Sequence, residues 1–527
     1  MLKNGLKSWA TACALLALAA GGAFAETVFN RGNSADPESL DPHKTSTVYE
    51  ANILRDLFMG LMIHNAKAEL EPGAAESHTV SPDGKVYSFK LRQGALWSDG
   101  SPVTAKDFVF SWRRLVDPAT AAEYAYMLAP VVNAEAVTKG EKKPEELGVR
   151  AVDDMTFEVT LNAPTPYFLE MLTHQATYAV SEANIAKFGA DFVKPGNLVS
   201  NGAYVLKEFV PNDHIEAVKN DKFHDAANVK IDVVNYIPTE DRSTAMKRFE
   251  AGELDSNDDI PTEQLADLKA KFGDQLRIGP YLGTYYYAFK TDKAPWNDVK
   301  LRHAVSMAID RDYLAEKVWQ NTMLPAYSFV PPGIPGYEAR ATDYSGKSQL
   351  DREDEAKKIL QELGYGPDKP LKMEIRFNTS ENHQNTAVAI QEQLKPLGIE
   401  VTLLNTDTKT HYGHLEQKGD FDVARAGWIA DYKDPENFLS LCKTGAGNNY
   451  ASYSGKDYDD LLAAAASAAS PEERMKKLSE AEALGVARDL CVMPLLFYSY
   501  HTVVSDRIKG WEDNVMDVHP TRFLSKE

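Results

Sequence analysis

Cysteine is scarce in this sequence: there are three in 527 residues, and Cys13 lies inside an N-terminal apolar run. With only Cys442 and Cys491 left to pair, the core cannot depend on a disulfide framework. Basic residues are also in deficit, 57 Lys and Arg against 77 Asp and Glu, for a formal charge of −20. That excess repels nucleic acid and anionic lipid headgroups and offers no basic stripe to either. Beyond residue 25 no apolar run approaches the roughly 18 residues that suggest a membrane span. Enzyme signatures are missing too. There is no GxSxG elbow, no glycine-rich phosphate loop and no HExxH helix, so neither a catalytic residue nor a cofactor is expected.

The N-terminus carries a leader pattern. Lys3 and Lys7 flank the start of a stretch from Leu6 to Phe24 that is almost wholly apolar or small, and Ala23-Phe24-Ala25 supplies small residues at the positions a type I signal peptidase reads. Residues 1–25 are therefore expected to be a signal peptide cut before Glu26, leaving an extracytoplasmic protein. A lipoprotein would carry its cysteine just after the run, not at Cys13. Losing the two lysines takes the formal charge to −22. About 500 residues remain, too many for one ordinary core, which suggests two or three domains. Export permits a Cys442–Cys491 bridge, but spacing alone leaves two buried thiols equally open.

Hydrophobic periodicity reads as mixed α/β. Tyr49 to Leu61 has helical spacing, with Ile53, Leu57, Phe58 and Leu61 on one stripe, and Val86 to Leu91 alternates as a half-buried strand. Thr104 and Asp107 form a capping box for a helix through Phe108, Trp112 and Leu115. Met373–Asn378, the helix Gln384–Leu394 and Val401–Leu404 form a strand–helix–strand unit whose strands should be parallel. Phe421 to Arg425 and Met493 to Tyr500 read as buried strands. The expected picture is two α/β lobes plus an inserted block, with a ligand between lobes.

Two candidate metal sites are weak. His411 and His414 are spaced to share a helical turn, but Gly413 lies between them and no third ligand is spaced to join them, which points to surface histidines. Asp431, Asp434 and Glu436 lack the alternation and closing Glu of a calcium loop. The informative stretch is Asp422 to Tyr432. If Val423 faces a core, Arg425 faces the same way, and a buried arginine needs an anion. Gly427, Trp428 and Asp431 follow where the strand should emerge. A zwitterion could put its carboxylate on Arg425 and its ammonium on Asp431. An internal Arg425–Asp431 pair supporting a loop, with Trp428 in the core, fits the composition equally well. Tyr124, Tyr126, the run Tyr285-Tyr286-Tyr287, Trp296 and Trp319 together exceed what core packing asks, and aromatic walls accept varied side chains.

Several longer motifs occur in a fixed order: Ser39-Leu40-Asp41-Pro42-His43-Lys44, Arg55-Asp56-Leu57-Phe58, Trp97-Ser98-Asp99-Gly100, Pro102 to Val109, Asn201-Gly202-Ala203-Tyr204, Thr284 to Tyr287, Phe377-Asn378-Thr379-Ser380 and Arg425 to Tyr432. In these, nearly the whole mature chain resembles the periplasmic oligopeptide-binding proteins of bacterial ABC importers, a group that includes murein peptide-binding proteins. The resemblance implies a type II-like periplasmic binding protein with two ligand-gripping lobes plus an additional α/β domain. By analogy, domain I comprises 26–57, 182–282 and 499–527, domain II 58–181 and domain III 283–498. It implies a monomer in the periplasm that encloses a short peptide and docks on ABC permease subunits, with no nucleic-acid partner.

Carried over by motif, Asp431 resembles the residue that pairs with the peptide ammonium, and Arg425 the arginine that receives a tripeptide carboxylate. His383 resembles a histidine that meets the carboxylate of a slightly longer peptide. Trp428 resembles a pocket wall, with Tyr286 and Tyr287 near the same cleft and Tyr126 and Trp319 as further aromatic candidates. Ser46 and Thr47 resemble a segment that supplies polar and main-chain contacts. The chain departs from familiar members at four positions. Gly283 and Ile429 stand where those members have a bridging cysteine pair, Ala288 where they have an acid, and Trp319 where a lysine meets a dipeptide carboxylate. Those changes imply weaker support for dipeptides and a narrower or more apolar set of peptides.

Overall fold

A computed structural model describes residues 26–258, 260–261 and 264–527. The expected signal peptide, residues 1–25, lies outside the described residues. The dominant element is an eleven-stranded mixed sheet. Its strands run in the order Ile399–Thr406, Leu371–Asn378, Val423–Ile429, Leu276–Phe289, Met493–Val504, Ser256–Asn257, Val28–Gly32, Val233–Ile237, His214–Lys219 and Tyr204–Val210; Met323–Pro325 pairs Met493–Val504 off this path. A separate antiparallel sheet of four strands, Ala75–Val80, Val86–Leu91, Thr156–Thr160 and Val149–Asp153, packs against the helix Ala105–Val116.

Two long strands hold the large sheet together. Leu276–Phe289 and Met493–Val504, of 14 and 12 residues, pair with each other and with strands on both sides. Their register runs from Leu276↔Val503 to Pro280↔Ser499, breaks, and resumes at Thr284↔Phe497. The break separates a half built on Val28–Gly32 and Val233–Ile237 from a half built on Leu371–Asn378, Ile399–Thr406 and Val423–Ile429.

Local chemistry explains many of the elements. Thr104 and Asp107 close the expected capping box, with the Thr104 amide and hydroxyl donating to the Asp107 carboxylate at 2.7 and 2.9 Å. The helix Glu381–Leu394 crosses between Leu371–Asn378 and Ile399–Thr406, which are parallel as expected. The helix Val48–Leu57 stops short of Leu61, which is buried beyond the helix end. In the C-terminal half, period-two alternation sends Tyr285, Tyr287 and Val423 into one core and Tyr286, Ala424 and Ala426 into the other, across the sheet. Cys442 and Cys491 are bridged in the second of these cores.

Candidate functional site

Arg425 is the third residue of Val423–Ile429, a strand with a parallel neighbour on one side and an antiparallel one on the other. Its register partner is Tyr287, so its side chain shares a face with Val423, as alternation requires. It is only 6% exposed. Its Nη1 donates to Asn378 Oδ1 at 3.1 Å and to the Tyr412 hydroxyl at 2.8 Å, and its Nη2 to the Tyr498 hydroxyl at 3.0 Å. The guanidinium lies 4.8 Å from the Tyr285 ring centroid, a cation–π contact. Among the described residues no carboxylate lies within salt-bridge distance of it, and its Nε has no hydrogen-bond partner. Burial acts to lower its pKa, but the phenols of Tyr498, Tyr412 and Tyr285 outweigh this and hold it above its ordinary value. The cation is oriented but not neutralised.

Asp431 follows two residues after the strand ends. Its carboxylate accepts from the Tyr126 hydroxyl at 2.9 Å, and its amide donates to Asn437 Oδ1 at 3.2 Å. It has no ionic partner among the described residues, and burial pushes its pKa up to about 6 against the opposing hydrogen bonds from Tyr126 and Asn437. The internal Arg425–Asp431 pair that the composition left open is therefore not formed. Tyr126 reaches Asp431 from the short helix Glu123–Leu128, where it packs 5.3 Å from Tyr124. The bond bridges parts of the molecule that rest on different cores.

His383 and Trp319 complete a wall around Tyr285. Their rings each lie 5.5 Å from that of Tyr285 and 6.4 Å from each other, and the Trp319 indole donates to Thr386 Oγ1 at 2.9 Å. Burial and the neighbouring Arg425 charge push His383 down to about 3, so its imidazole is neutral at ordinary pH. Trp428 is on the opposite face of the strand, half-buried, its indole held by Asn437 Oδ1 at 2.8 Å. Asn437 thus fixes both Trp428 and the Asp431 backbone.

The other candidates are placed differently. Tyr286 and Tyr287 are fully buried on opposite faces of the sheet, Tyr286 against Phe329 at 5.1 Å. Tyr285, which was not among the residues singled out by resemblance, is the member of the run that contacts Arg425. Ser46 and Thr47 direct their amides at the Glu50 carboxylate, and the Thr47 hydroxyl also donates to it at 2.8 Å. The Thr47 carbonyl accepts from the Ala51 amide at 3.1 Å, so the Ser46 carbonyl and hydroxyl are what this segment could offer a ligand. His411 is buried, not at the surface as expected, because its Nε2 bonds the Arg425 carbonyl oxygen at 2.8 Å. His414 bonds the Asp420 carbonyl oxygen, so the two histidines do not converge on a metal. Asp434 is committed to Arg474 through bonds of 2.6 and 2.8 Å, and Glu436 accepts from Tyr432, so neither joins Asp431 in a calcium cage.

Sequence reasoning missed the supports Asn378, Tyr412, Tyr498 and Asn437. Asn378 lies in a motif already singled out, and Tyr412 lies between the two histidines. Nothing local marks Tyr498, which reaches Arg425 across 73 residues of sequence.

The profile of the bacterial extracellular solute-binding proteins, family 5, matches residues 69–450. The chain is 40% identical over 485 residues to the periplasmic oligopeptide-binding protein of Salmonella typhimurium, covering 91% of this chain and 89% of that one. It is 38% identical over 493 residues to the periplasmic murein peptide-binding protein of Escherichia coli, covering 93% and 91%. The fold superposes on the Haemophilus influenzae oligopeptide-binding protein in complex with the peptide RPPGFSPFR with a TM-score of 0.80 at 37% identity, covering 95% of this chain and 99% of that one. The chain belongs to family 5 of the bacterial extracellular solute-binding proteins. Its architecture is that of the type II periplasmic binding proteins.

Proposed function

We propose that this protein captures short peptides in the periplasm, gripping the ligand by both ends, and delivers them as a monomer to the permease subunits of an ABC importer. The observation that carries this reading is a buried cation, Arg425, and a half-buried carboxylate, Asp431, each oriented by neutral groups and neither ion-paired. A buried charge without a counter-ion is costly, and a zwitterion offers a counter-ion to both. Six residues of extended chain allow up to about 20 Å between the Cα atoms of Arg425 and Asp431, room enough for an oligopeptide. His383 and Trp319 would border the carboxylate end, Trp428 a side-chain pocket, and Tyr126 would yield its place on Asp431 to the ammonium. Buried Tyr287 would back the Arg425 face of the site and buried Tyr286 the opposite, Trp428 face. Ser46, through its carbonyl, and Thr47, as the cap that fixes the segment, would present the main chain to the ligand. The similarity to periplasmic peptide-binding relatives agrees with this.

The working unit would be two lobes: 26–57, 182–282 and 499–527 with 58–181 on one side, and 283–498 on the other. The register break between Pro280 and Thr284 falls at this division and suits a hinge. Ligand would bias open and closed forms by its differential affinity for them, with no bond made or broken and no cofactor. A murein peptide in the same transport role is the second reading, favoured by the similarity to the murein peptide-binding relative.

Native mass spectrometry of protein purified without refolding, followed by denaturation and sequencing of what is released, tests both readings. A set of short peptides is the expected result, and one murein-derived species would favour the second reading. A single species with no amino-acid component would overturn both.

A further inference from the structure

At the far end of the large sheet from Ile399–Thr406, the edge hairpin Tyr204–Val210 and His214–Lys219 carries an arrangement unrelated to the cleft. Glu208 and Glu216 are register partners, two carboxylates facing each other across adjacent strands. Like charges so placed destabilise a strand pair unless a cation answers them. His214 stands beside them, its Nε2 3.8 Å from Glu208 Oε2. One ligand atom from each of the three residues can be chosen so that all lie within 4.8 Å of one another. Donors around a tetrahedral zinc ion stand about 3.4 Å apart, given metal–ligand bonds near 2.1 Å. Closing from at most 4.8 Å asks for side-chain movements of about an ångström.

Two further features prepare the histidine. Its Nδ1 lies 2.8 Å from Asp213 Oδ2, so a proton on Nδ1 would be held by that carboxylate, leaving the Nε2 lone pair on the side of Glu208 free for a metal. This carboxylate–histidine arrangement is the one that orients and strengthens imidazole ligands to metals. The turn itself is anchored from outside the hairpin, where the Asn212 amide donates to Asp36 Oδ2 at 2.6 Å. The nearest competitor is Lys207, whose ammonium pairs with Glu216 at 2.7 Å from an exposed position.

We propose that Glu208, His214 and Glu216 form a three-ligand site for a divalent transition-metal ion, zinc above all, with water in the fourth position. One imidazole and two carboxylates suit zinc better than calcium or magnesium, which favour oxygen ligands alone. The ion would relieve the opposed carboxylates and brace an edge strand that pairs with no further strand on its outer side among the described residues. It plays no part in ligand capture, so the site stands or falls independently of the peptide reading.

The test is calorimetric titration of the tag-free, chelator-stripped mature protein with zinc chloride. One equivalent should bind, His214→Ala should weaken binding at least tenfold, and Lys207→Ala should strengthen it by removing the competing ammonium. Opposite responses to these two surface changes are not expected of general destabilisation. Failure to bind at millimolar zinc, or a His214→Ala titration that overlays the wild type, would overturn the proposal.

Discussion

Arg425 is surrounded by an amide and three phenols, groups that can hold a guanidinium in place but cannot cancel its charge. Asp431 is similarly held by neutral groups alone, Tyr126 and Asn437. Removing its charge by Asp431→Asn keeps the shape and the amide contact, so the fold should persist. Peptide affinity should fall about 100-fold, close to 3 kcal/mol, the cost of losing one partner of a desolvated charge pair. Isothermal titration against a verified peptide checks this, and unchanged affinity would remove Asp431 from the site. Its pKa near 6 adds a second expectation. The carboxylate is the binding-competent form, so below about pH 6 affinity should drop by up to tenfold per pH unit. Gly427 is a subtler case. A Cβ there would stand 2.7 Å from the Tyr498 hydroxyl and 3.1 Å from Arg425 Nη2. Gly427→Ala should therefore push the phenol off the guanidinium and weaken binding by roughly tenfold, about 1.4 kcal/mol. If calorimetry finds wild-type affinity, the Tyr498 support is dispensable.

Among the elements, the disulfide connects two supports of the site. Cys442 ends the turn that follows Glu436–Leu439, the helix bearing Asn437, and Cys491 precedes Met493–Val504, the strand bearing Tyr498. The loop it closes spans 49 residues, for which chain entropy gives a stabilisation of up to about 4 kcal/mol. The double variant Cys442→Ser, Cys491→Ser should unfold at markedly lower denaturant concentration; a coincident unfolding curve would show that the bridge contributes nothing. Spacing left that bridge undecided because sequence separation says nothing about Cα–Cα distance. Elements whose cause is local were legible: the Thr104–Asp107 capping box, the alternation of Val86–Leu91, and the parallel pair flanking Glu381–Leu394. The 14-residue length of Leu276–Phe289 was not, because its first half alternates weakly and is held by Met493–Val504 from over 200 residues away. The same limit applied in the site. Motif and alternation reached Arg425, but the phenols around it come from other elements, and only the fold shows which tyrosine of the run faces the guanidinium.

Across the whole molecule, acid should act through buried histidines. His43 is 1% exposed and bonds the Tyr178 carbonyl oxygen through Nε2 at 3.1 Å, while its Nδ1 lies 2.7 Å from Arg114 Nη1. Burial, and then the Arg114 charge, push it down to about 4 despite Asp41 beside it. His174 is pushed down to about 3 by burial and Arg55, and burial also lowers His64. In the unfolded chain these imidazoles titrate near 6.5. As pH falls from about 6.5 toward 4, the unfolded state takes up protons that the folded state refuses, so the folded state loses stability. For His43 alone the loss is bounded at about 3 kcal/mol. Asp431 works in the opposite sense: its raised pKa means the folded state binds the extra proton between about 4 and 6, so this group favours the fold as pH drops. Burial raises Asp56, Asp107, Asp434, Glu436 and Glu482 in the same sense. Eight histidines are lowered against these carboxyls, and their unfolded-state titration near 6.5 comes first as pH falls, so the melting temperature of the ligand-free protein should fall from pH 7 to pH 4.5. Peptide should raise it most above pH 6, where Asp431 is ionised, and progressively less below. A flat profile without ligand would mean that His43 and His174 are not held neutral, and a ligand shift independent of pH would mean that the ammonium is not held by Asp431.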